Sequence, residues 1–182
     1  DPSKTVVLQT YKVEKDGNVR IAKTTLAKAG LTGKAYDIDG DASTFSQAEL
    51  DNIHEIWQRV SEKYSPWDIN VTTVDPGTYL HLETARIVVG GDGKNDGVNY
   101  WYGGTKPAGG LAYVSGFSTS DPNTGYVFPG NLGNGNPKYV AEASAHEAGH
   151  LFGLLHQSLY SGTTKLAEYN PGTGTGPGSK AP

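Results

Sequence analysis

The longest amphipathic pattern in the chain spans residues 46–64. Ser46 and Glu49 have the spacing of a capping box, which predicts that a helix begins here. Pro66 predicts the end of this helix, because proline cannot continue its hydrogen bonding. Apolar side chains recur at intervals of three or four residues and share one face that we expect to pack on a core: Leu50, Ile53, Trp57, Val60 and Tyr64.

Four other segments have patterns typical of β-strands. Thr5–Val13 is rich in β-branched and aromatic residues, and Trp67–Val74 alternates between apolar and polar side chains. Ala85–Gly91 is a continuous apolar run, which is typical of a buried strand, and Gly109–Phe117 is a strand candidate bounded by glycines. The succession of a strand, a helix of about five turns and another strand predicts a parallel crossover unit.

A second long helix is predicted to follow Asn136. Asn136 is a suitable N-cap, and Pro137 occupies the first helical position, where a missing amide hydrogen is tolerated. We expect the helix to run to about Leu151 and to stop at Gly153, which can adopt the positive φ that ends a helix. A short helix is also expected over Ile21–Gly30.

Length and charge predict a single domain without nucleic-acid partners. A chain of 182 residues has the usual size of one domain, so we expect residues 1–182 to form one unit. The 15 Lys and Arg and 19 Asp and Glu are spread without long runs, so no nucleic-acid surface is predicted. No apolar run approaches the ~20 residues of a membrane span. Residues 162–182 are rich in glycine and proline and predict a loop.

The segment His146–His156, which reads HEAGHLFGLLH, holds three of the five histidines in the chain. His146 and His150 are four residues apart, so a helix places both on one face at a separation that one metal ion can bridge. With Glu147 between them, the pattern H-E-x-x-H provides two zinc ligands and a candidate general base. If Gly153 turns the chain back, His156 can become a third ligand, which leaves the fourth position to water, as in catalytic zinc sites.

The absence of cysteine narrows the chemistry further. It excludes a disulfide framework, a thiolate metal site and a cysteine nucleophile. Any metal ion must therefore be bound by nitrogen and oxygen atoms.

The full histidine segment matches H-E-x-x-H-x-x-G-x-x-H and resembles the zinc signature of the metzincin metalloproteases. Gly109–Phe117, which reads GGLAYVSGF, looks like the edge strand of the metzincin cleft. Tyr64–Pro76 and the segment 133–150 are similar to secreted bacterial members of that clan. The resemblance covers Ala35–Gln157 and implies an extracellular metzincin-like α/β domain, with a twisted mixed sheet and two long helices, the second carrying the zinc motif.

The resemblance implies a zinc-dependent endopeptidase that acts on polypeptides. In this reading, His146, His150 and His156 bind Zn²⁺, and Glu147 takes a proton from the metal-activated water. An extended substrate would add to the edge strand at five residues: Gly110, Leu111, Ala112, Tyr113 and Val114. One alternative is a zinc-binding surface or adhesion module that keeps the fold and lacks hydrolysis. A second is a zinc hydrolase that acts on something other than protein. The oligomeric state is left open.

Metzincins also carry a methionine in a tight turn below the zinc, downstream of the third histidine. This chain contains no methionine and ends 26 residues after His156. We expect the chain to stop before that turn, as a truncated or cleaved form of a longer precursor.

A second metal candidate is the acidic segment DIDGDAS. Asp37, Asp39 and Asp41 alternate as in the first half of an EF-hand loop, which makes Ca²⁺ a candidate ligand. However, position six of the loop is Ala42 rather than glycine, and position twelve is Ala48 rather than glutamate. An acidic turn before a helix N-terminus is also favoured by the helix dipole alone.

The remaining histidines and the tryptophans are assigned structural roles. His54 and His81 lack a partner at metal-ligand spacing, so we expect them at the surface or in local hydrogen bonds. Trp57 and Trp67 are predicted in the core. Trp101 is predicted to pack under a loop or to touch substrate.

Overall fold

The computed structural model describes residues 5–9, 19–20, 32–33, 36–41, 44–74, 76, 78–94, 98–100, 102–167, 170 and 172. Within these residues the predicted mixed α/β fold with two long helices is confirmed. The elements, in chain order, are β1 (Thr5–Gln9), β2 (Val19–Arg20), β3 (Thr32–Gly33), α1 (Gln47–Tyr64), β4 (Asn70–Thr72), β5 (Thr84–Val89), β6 (Gly110–Leu111), β7 (Thr124–Val127), α2 (Pro137–Leu151), β8 (Leu159–Ser161) and β9 (Thr164–Ala167).

The main sheet has five strands in the order β4-β1-β5-β7-β6. β1 pairs in parallel with both β4 and β5, and β5 pairs in parallel with β7. The parallel pairing of β1 with β4, on either side of α1, confirms the predicted crossover unit. β6 is antiparallel to β7 and forms one edge of the sheet. The pairs β2–β3 and β8–β9 are separate antiparallel ribbons.

The capping box at the start of α1 is formed as predicted. The Glu49 carboxylate accepts hydrogen bonds from the backbone N–H groups of Ser46, at 2.9 Å, and Ile38, at 2.8 Å. Ile56, Val60 and Tyr64 are buried in the core shared with α2 and the sheet. These contacts explain why the helix begins and packs where the pattern predicts.

Two apolar residues of this region do not lie in the core. Leu50 is 46% exposed and Trp67 is 61% exposed, so the prediction of a buried Trp67 is wrong. Trp67 follows the end of α1, where the chain turns away from the helix. Trp57, by contrast, packs against the core and donates its indole N–H to the Val71 carbonyl at 2.8 Å.

The strand predictions hold best where the strand is buried. β5, which corresponds to the predicted strand Ala85–Gly91, is buried along its whole length. β4 is only Asn70–Thr72, shorter than the predicted Trp67–Val74. β1 lies within the predicted Thr5–Val13, whose last four residues are outside the described part. β7 has no counterpart among the predicted strands.

The predicted strand Gly109–Phe117 is wrong beyond Leu111. Only Gly110 and Leu111 form β6, and a turn follows in which Ser115 has a φ of 66°. The turn is held to the end of α2, because the N–H groups of Ser115 and Phe117 donate to the carbonyls of His150 and Leu151, at 2.8 and 3.0 Å. These bonds pair with the last carbonyls of α2, of which the His150 carbonyl also accepts from the Gly153 N–H.

α2 has the predicted boundaries. The Asn136 side chain accepts hydrogen bonds from the N–H groups of Lys138 and Tyr139, and Pro137 is the first helical residue. α2 packs against α1, where the Tyr64 hydroxyl donates to the Ala145 carbonyl at 2.9 Å. The two helices and β5 thus share one core, which gives the histidine helix a rigid support.

Other predictions meet the structure only in part. The strand Thr164–Ala167 lies inside the segment 162–182, so the loop prediction is wrong for these four residues. The helix predicted over Ile21–Gly30 and the position of Trp101 lie outside the described residues. In the part of the chain that the structure describes, no helix is long and apolar enough to cross a membrane.

Candidate metal centre

The last two turns of α2 carry His146, Glu147 and His150. Because the helix is regular between its caps, the four-residue spacing places the two imidazoles on one face with their ring centroids 4.5 Å apart. The opposite face of α2 is buried in the core, with Val140, Ala141 and Ala148 fully enclosed. The sequence period therefore decides which side chains reach the surface cleft.

A Schellman motif returns the chain toward these two histidines. Gly153 has a φ of 95°, its N–H donates to the His150 carbonyl at 2.8 Å, and the Leu154 N–H donates to the Gly149 carbonyl at 2.9 Å. The positive φ reverses the chain direction, so His156 comes back beside the helix. The predicted role of Gly153 as the helix stop is confirmed.

The three histidines converge on one point. Nε2 of His156 lies 2.9 Å from Nε2 of His146 and 2.9 Å from Nε2 of His150. The ring centroid of His156 is 4.9 Å from that of His146 and 4.7 Å from that of His150. The structure therefore brings together the three predicted metal ligands, which are separated by up to ten residues in the sequence.

The tautomer of His150 is set by a neighbouring carbonyl. Nδ1 of His150 lies 2.7 Å from the Leu154 carbonyl oxygen, which can only accept, so Nδ1 carries the hydrogen. Nε2 is then the unprotonated nitrogen that points into the triad. This backbone contact is of the kind that orients metal-binding histidines.

Burial and neighbouring charge favour a neutral imidazole at His146. The pKa of His146 is lowered by burial and, to a smaller degree, by the charges that His150 and His156 would carry. Metal ligation requires unprotonated nitrogens, so the lowered pKa favours the ligand form.

Zn²⁺ fits this donor set. Three imidazole nitrogens are a common ligand set of catalytic zinc, with Zn–N distances near 2.0–2.1 Å. Tetrahedral angles at such an ion place the nitrogens about 3.4 Å apart, so the 2.9 Å separations seen here need to open by only about half an ångström.

Glu147 is the buried member of the motif. Its side chain is only 5% exposed, and burial raises its pKa to about 7. Its Oε2 has no hydrogen-bond partner among the described residues. A carboxyl group with a pKa near neutrality, next to three convergent histidines, is suited to general acid–base chemistry.

A cleft of about 890 Å³ runs past these residues. α2 forms one wall and β6 with the residues after it forms another. The β8–β9 ribbon, Leu132 and the segment after α2 contribute further lining residues. Of the five predicted substrate-binding residues, Gly110, Leu111, Ala112 and Val114 line the cleft. Tyr113 is not among the lining residues and is 50% exposed.

Several cleft residues were not identified from the sequence. Tyr139, Glu142 and Ala143 lie seven, four and three residues before His146, so their helical spacing was a usable signal. Tyr160 and Lys165 reach the cleft only through the β8–β9 ribbon. No local sequence pattern predicts that these two residues line the cleft, because their position depends on where the ribbon folds back.

The acidic segment does not assemble as an EF-hand half. Asp37 and Asp39 have carboxylate oxygens near those of Glu49, all within 4.8 Å, whereas Asp41 is not part of this group. Asp41 instead accepts a hydrogen bond from the Thr44 hydroxyl at 2.9 Å. The Asp37 carboxylate accepts from the Gly40 N–H at 2.7 Å, which is a turn-forming bond. Calcium at Asp37, Asp39 and Asp41 remains a prediction.

His54 and His81 lie outside the triad, as predicted. His54 is exposed and lies against the Trp57 ring, with centroids 5.6 Å apart. Nδ1 of His81 lies 3.0 Å from the Gly116 carbonyl oxygen, which is a local hydrogen bond.

The family comparison agrees with this geometry. Residues 34–157, about two thirds of the chain, match the model of the reprolysin-like metallopeptidase family M12B. The chain belongs to this family. Metallopeptidases of the M12 group use zinc, and the triad of His146, His150 and His156 can bind it. The resemblance to metzincins is therefore confirmed, and no individual curated protein gives a significant match.

Proposed function

We propose that this reprolysin-like domain is a zinc-dependent endopeptidase. The observation that carries the proposal is the convergence of three histidine Nε2 atoms beside a buried glutamate, in a cleft bordered by a sheet edge. Family membership supports a peptidase activity and a polypeptide substrate. Bound zinc would supply Lewis acidity toward water and toward the carbonyl oxygen of the substrate.

In the proposed reaction, Glu147 is the general base. Its carboxylate would take a proton from the attacking water and later deliver that proton to the leaving amine. In the metal-free protein burial raises the pKa of Glu147 to about 7, which is in the range where a group can accept and return a proton. Burial also keeps bulk water away from the carboxyl group.

The edge of the sheet would hold the substrate. β6 is the terminal strand in the sheet order, and the residues of β6 line the cleft. An extended peptide can pair with such an edge through main-chain hydrogen bonds, which tolerate varied side chains. This arrangement would place a peptide bond near the triad.

The activity is tested with a broad peptide library and zinc quantified in the same samples. We expect cleavage that a chelator abolishes, and Glu147→Gln should lower the rate by a factor of about 10² to 10⁴ while retaining zinc. His54→Gln is the matched control, because His54 lies outside the triad and should leave the rate unchanged. Stoichiometric zinc without cleavage would refute the proposal and favour the zinc-binding module.

The edge-strand mode is tested separately with a backbone-modified substrate. N-methylation of one residue near the cleaved bond removes one N–H donor and preserves the side chain. We expect kcat/KM to fall by about tenfold for positions that face β6, from the loss of one hydrogen bond. Equal cleavage of all N-methylated peptides would contradict strand addition.

A further inference from the structure

A wall of small residues on β6 and β7 lies against the Glu147 side chain. β6 and β7 pair with Gly110 opposite Val127 and Leu111 opposite Tyr126. Strand alternation then places Gly110, Ala112 and Gly125 on one face, which is the face next to α2. A Cβ on residue 125 would lie 3.2 Å from the Cβ of Ala112, which confirms that the two are neighbours.

The Glu147 side chain occupies the space that side chains at residues 110 and 125 would fill. A Cβ on residue 110 would lie 2.6 Å from both Cγ and Oε1 of Glu147, and 2.7 Å from the backbone carbonyl oxygen of Tyr126. A Cβ on residue 125 would lie 3.3 Å from the Cβ of Glu147. Neither glycine has a positive φ, so backbone conformation does not require glycine at either position. Glycine is needed at these two positions because it leaves space for the neighbouring atoms.

Packing contributes to where this carboxylate lies, because Oε2 is not held by a hydrogen bond from the described residues. Glu147 is 5% exposed, and its Oε2 has no hydrogen-bond partner within the described part of the chain. A buried polar side chain is normally held by hydrogen bonds. Close packing against Gly110 and Gly125 therefore helps to set the position of the group.

We propose that Gly110 and Gly125 are positioning residues that keep the Glu147 carboxylate in the position that it needs as general base. The inference rests on the proposed peptidase function. The two glycines let α2 approach the sheet edge closely, so one wall positions the base and also presents the edge strand to substrate. A side chain at either position would displace the carboxylate from the triad.

The contact itself is tested without any activity, in metal-free protein. Gly110→Ala and Glu147→Ala are made singly and together, because Glu147→Ala removes the Cγ and Oε1 that the new methyl group would meet. Gly110→Ala should lower Tm in the parent. In the Glu147→Ala background the loss of Tm should be smaller by at least about 3 °C. Equal losses in both backgrounds would overturn the proposal.

The catalytic consequence is tested with Gly125→Ala, which is milder. Gly125 is buried, and its added methyl group would meet side chains only, with the tightest contact 3.0 Å from Cδ1 of Ile87. We expect kcat per zinc-loaded molecule to fall by about ten- to a hundredfold, with KM changed less than about twofold, because a misplaced base impairs chemistry more than binding.

Gly130→Ala is the matched control. A methyl group there would lie 3.1 Å from the Cβ of Asp92 and 3.2 Å from the Gly91 carbonyl oxygen, which is at least as much crowding but away from the cleft, so kcat should equal that of the parent. A parental kcat in Gly125→Ala would overturn the positioning role. A parent that cleaves no peptide would instead refute the proposed function and the catalytic role with it, while the stability comparison would still decide whether the contact exists.

Discussion

Glu147 shows how a single residue acquires its properties from burial. The motif predicts a base at this position, but the side chain is 5% exposed and its pKa is raised to about 7. The cause is desolvation alone, since the carboxylate loses water without gaining a charged partner. A carboxyl group with a raised pKa stabilises the fold when protonated and destabilises it when ionised.

This pKa predicts a pH-dependent stability of the metal-free protein. The contribution of neutral Glu147 is fully present below pH 4.5 and is lost as the pH rises to about 7. Glu147→Gln stays neutral at both pH values. The free energy of unfolding of this variant, minus that of the parent, should therefore be larger at pH 8 than at pH 4 by up to about 3 kcal/mol. Urea unfolding of metal-depleted samples at both pH values measures the difference. His146, whose pKa is also shifted, is present in both proteins and cancels.

At the scale of elements, the C-terminal end of α2 helps to position the metal ligands. The helix stops in a Schellman motif at Gly153, and the same motif returns His156 to the triad. The turn after β6 donates further hydrogen bonds to the last carbonyls of the helix. One helix terminus therefore joins the metal ligands to the wall of the cleft.

Gly153→Ala should disturb both stability and metal binding. Its φ of 95° is strained for alanine, so we expect a loss of about 1–2 kcal/mol. Zinc affinity should also fall, because relaxation of the turn moves His156. Gly103→Ala is the control, since Gly103 has a φ of 74° with open space around it and lies in another loop. Calorimetric zinc titration of both variants tests this, and equal zinc affinities would show that the turn does not position His156.

The start of α2 allows a separate prediction. Asn136 accepts hydrogen bonds from the N–H groups of Lys138 and Tyr139. Asn136→Ala should therefore destabilise the protein by about 1 kcal/mol, whereas Asn136→Asp should retain most of the stability because it can still cap the helix. Chemical denaturation distinguishes the two, and an equal loss in both variants would contradict the capping role.

At the scale of the whole molecule, metal binding and folding are linked. The triad joins α2 to the chain beyond Gly153, so a ligand that bridges the three histidines stabilises the native state only. Zinc at one hundred times its dissociation constant should add about 2.7 kcal/mol of stability. For a chain of this length, that corresponds to a rise in Tm of roughly 5–10 °C.

Thermal unfolding with and without zinc checks this linkage. The parent should show the full shift, and a chelator should reverse it. His156→Gln should lose most of the shift, while His81→Gln, which alters a histidine outside the triad, should keep it. A parental shift in His156→Gln would show that zinc stabilises the protein from another site.

Local patterns predicted α1, α2 and β5 well for a physical reason. The two helices are long, and their caps are formed by neighbouring residues such as Ser46 with Glu49. β5 is buried along its whole length. The shorter strands were less predictable. β7 and the ribbon β8–β9 depend on pairing with distant segments, and the position of Trp67 depends on how the chain leaves α1.

The sequence by itself determined the ligand chemistry of this protein. The spacing of His146, Glu147 and His150 is a property of any regular helix, and a glycine at position 153 permits the return of His156. Only the tertiary structure decided the burial of Glu147, its raised pKa and the placement of Gly110 and Gly125 beside it. These properties depend on how closely α2 approaches the edge of the sheet, and that distance is set by the packing of the whole core.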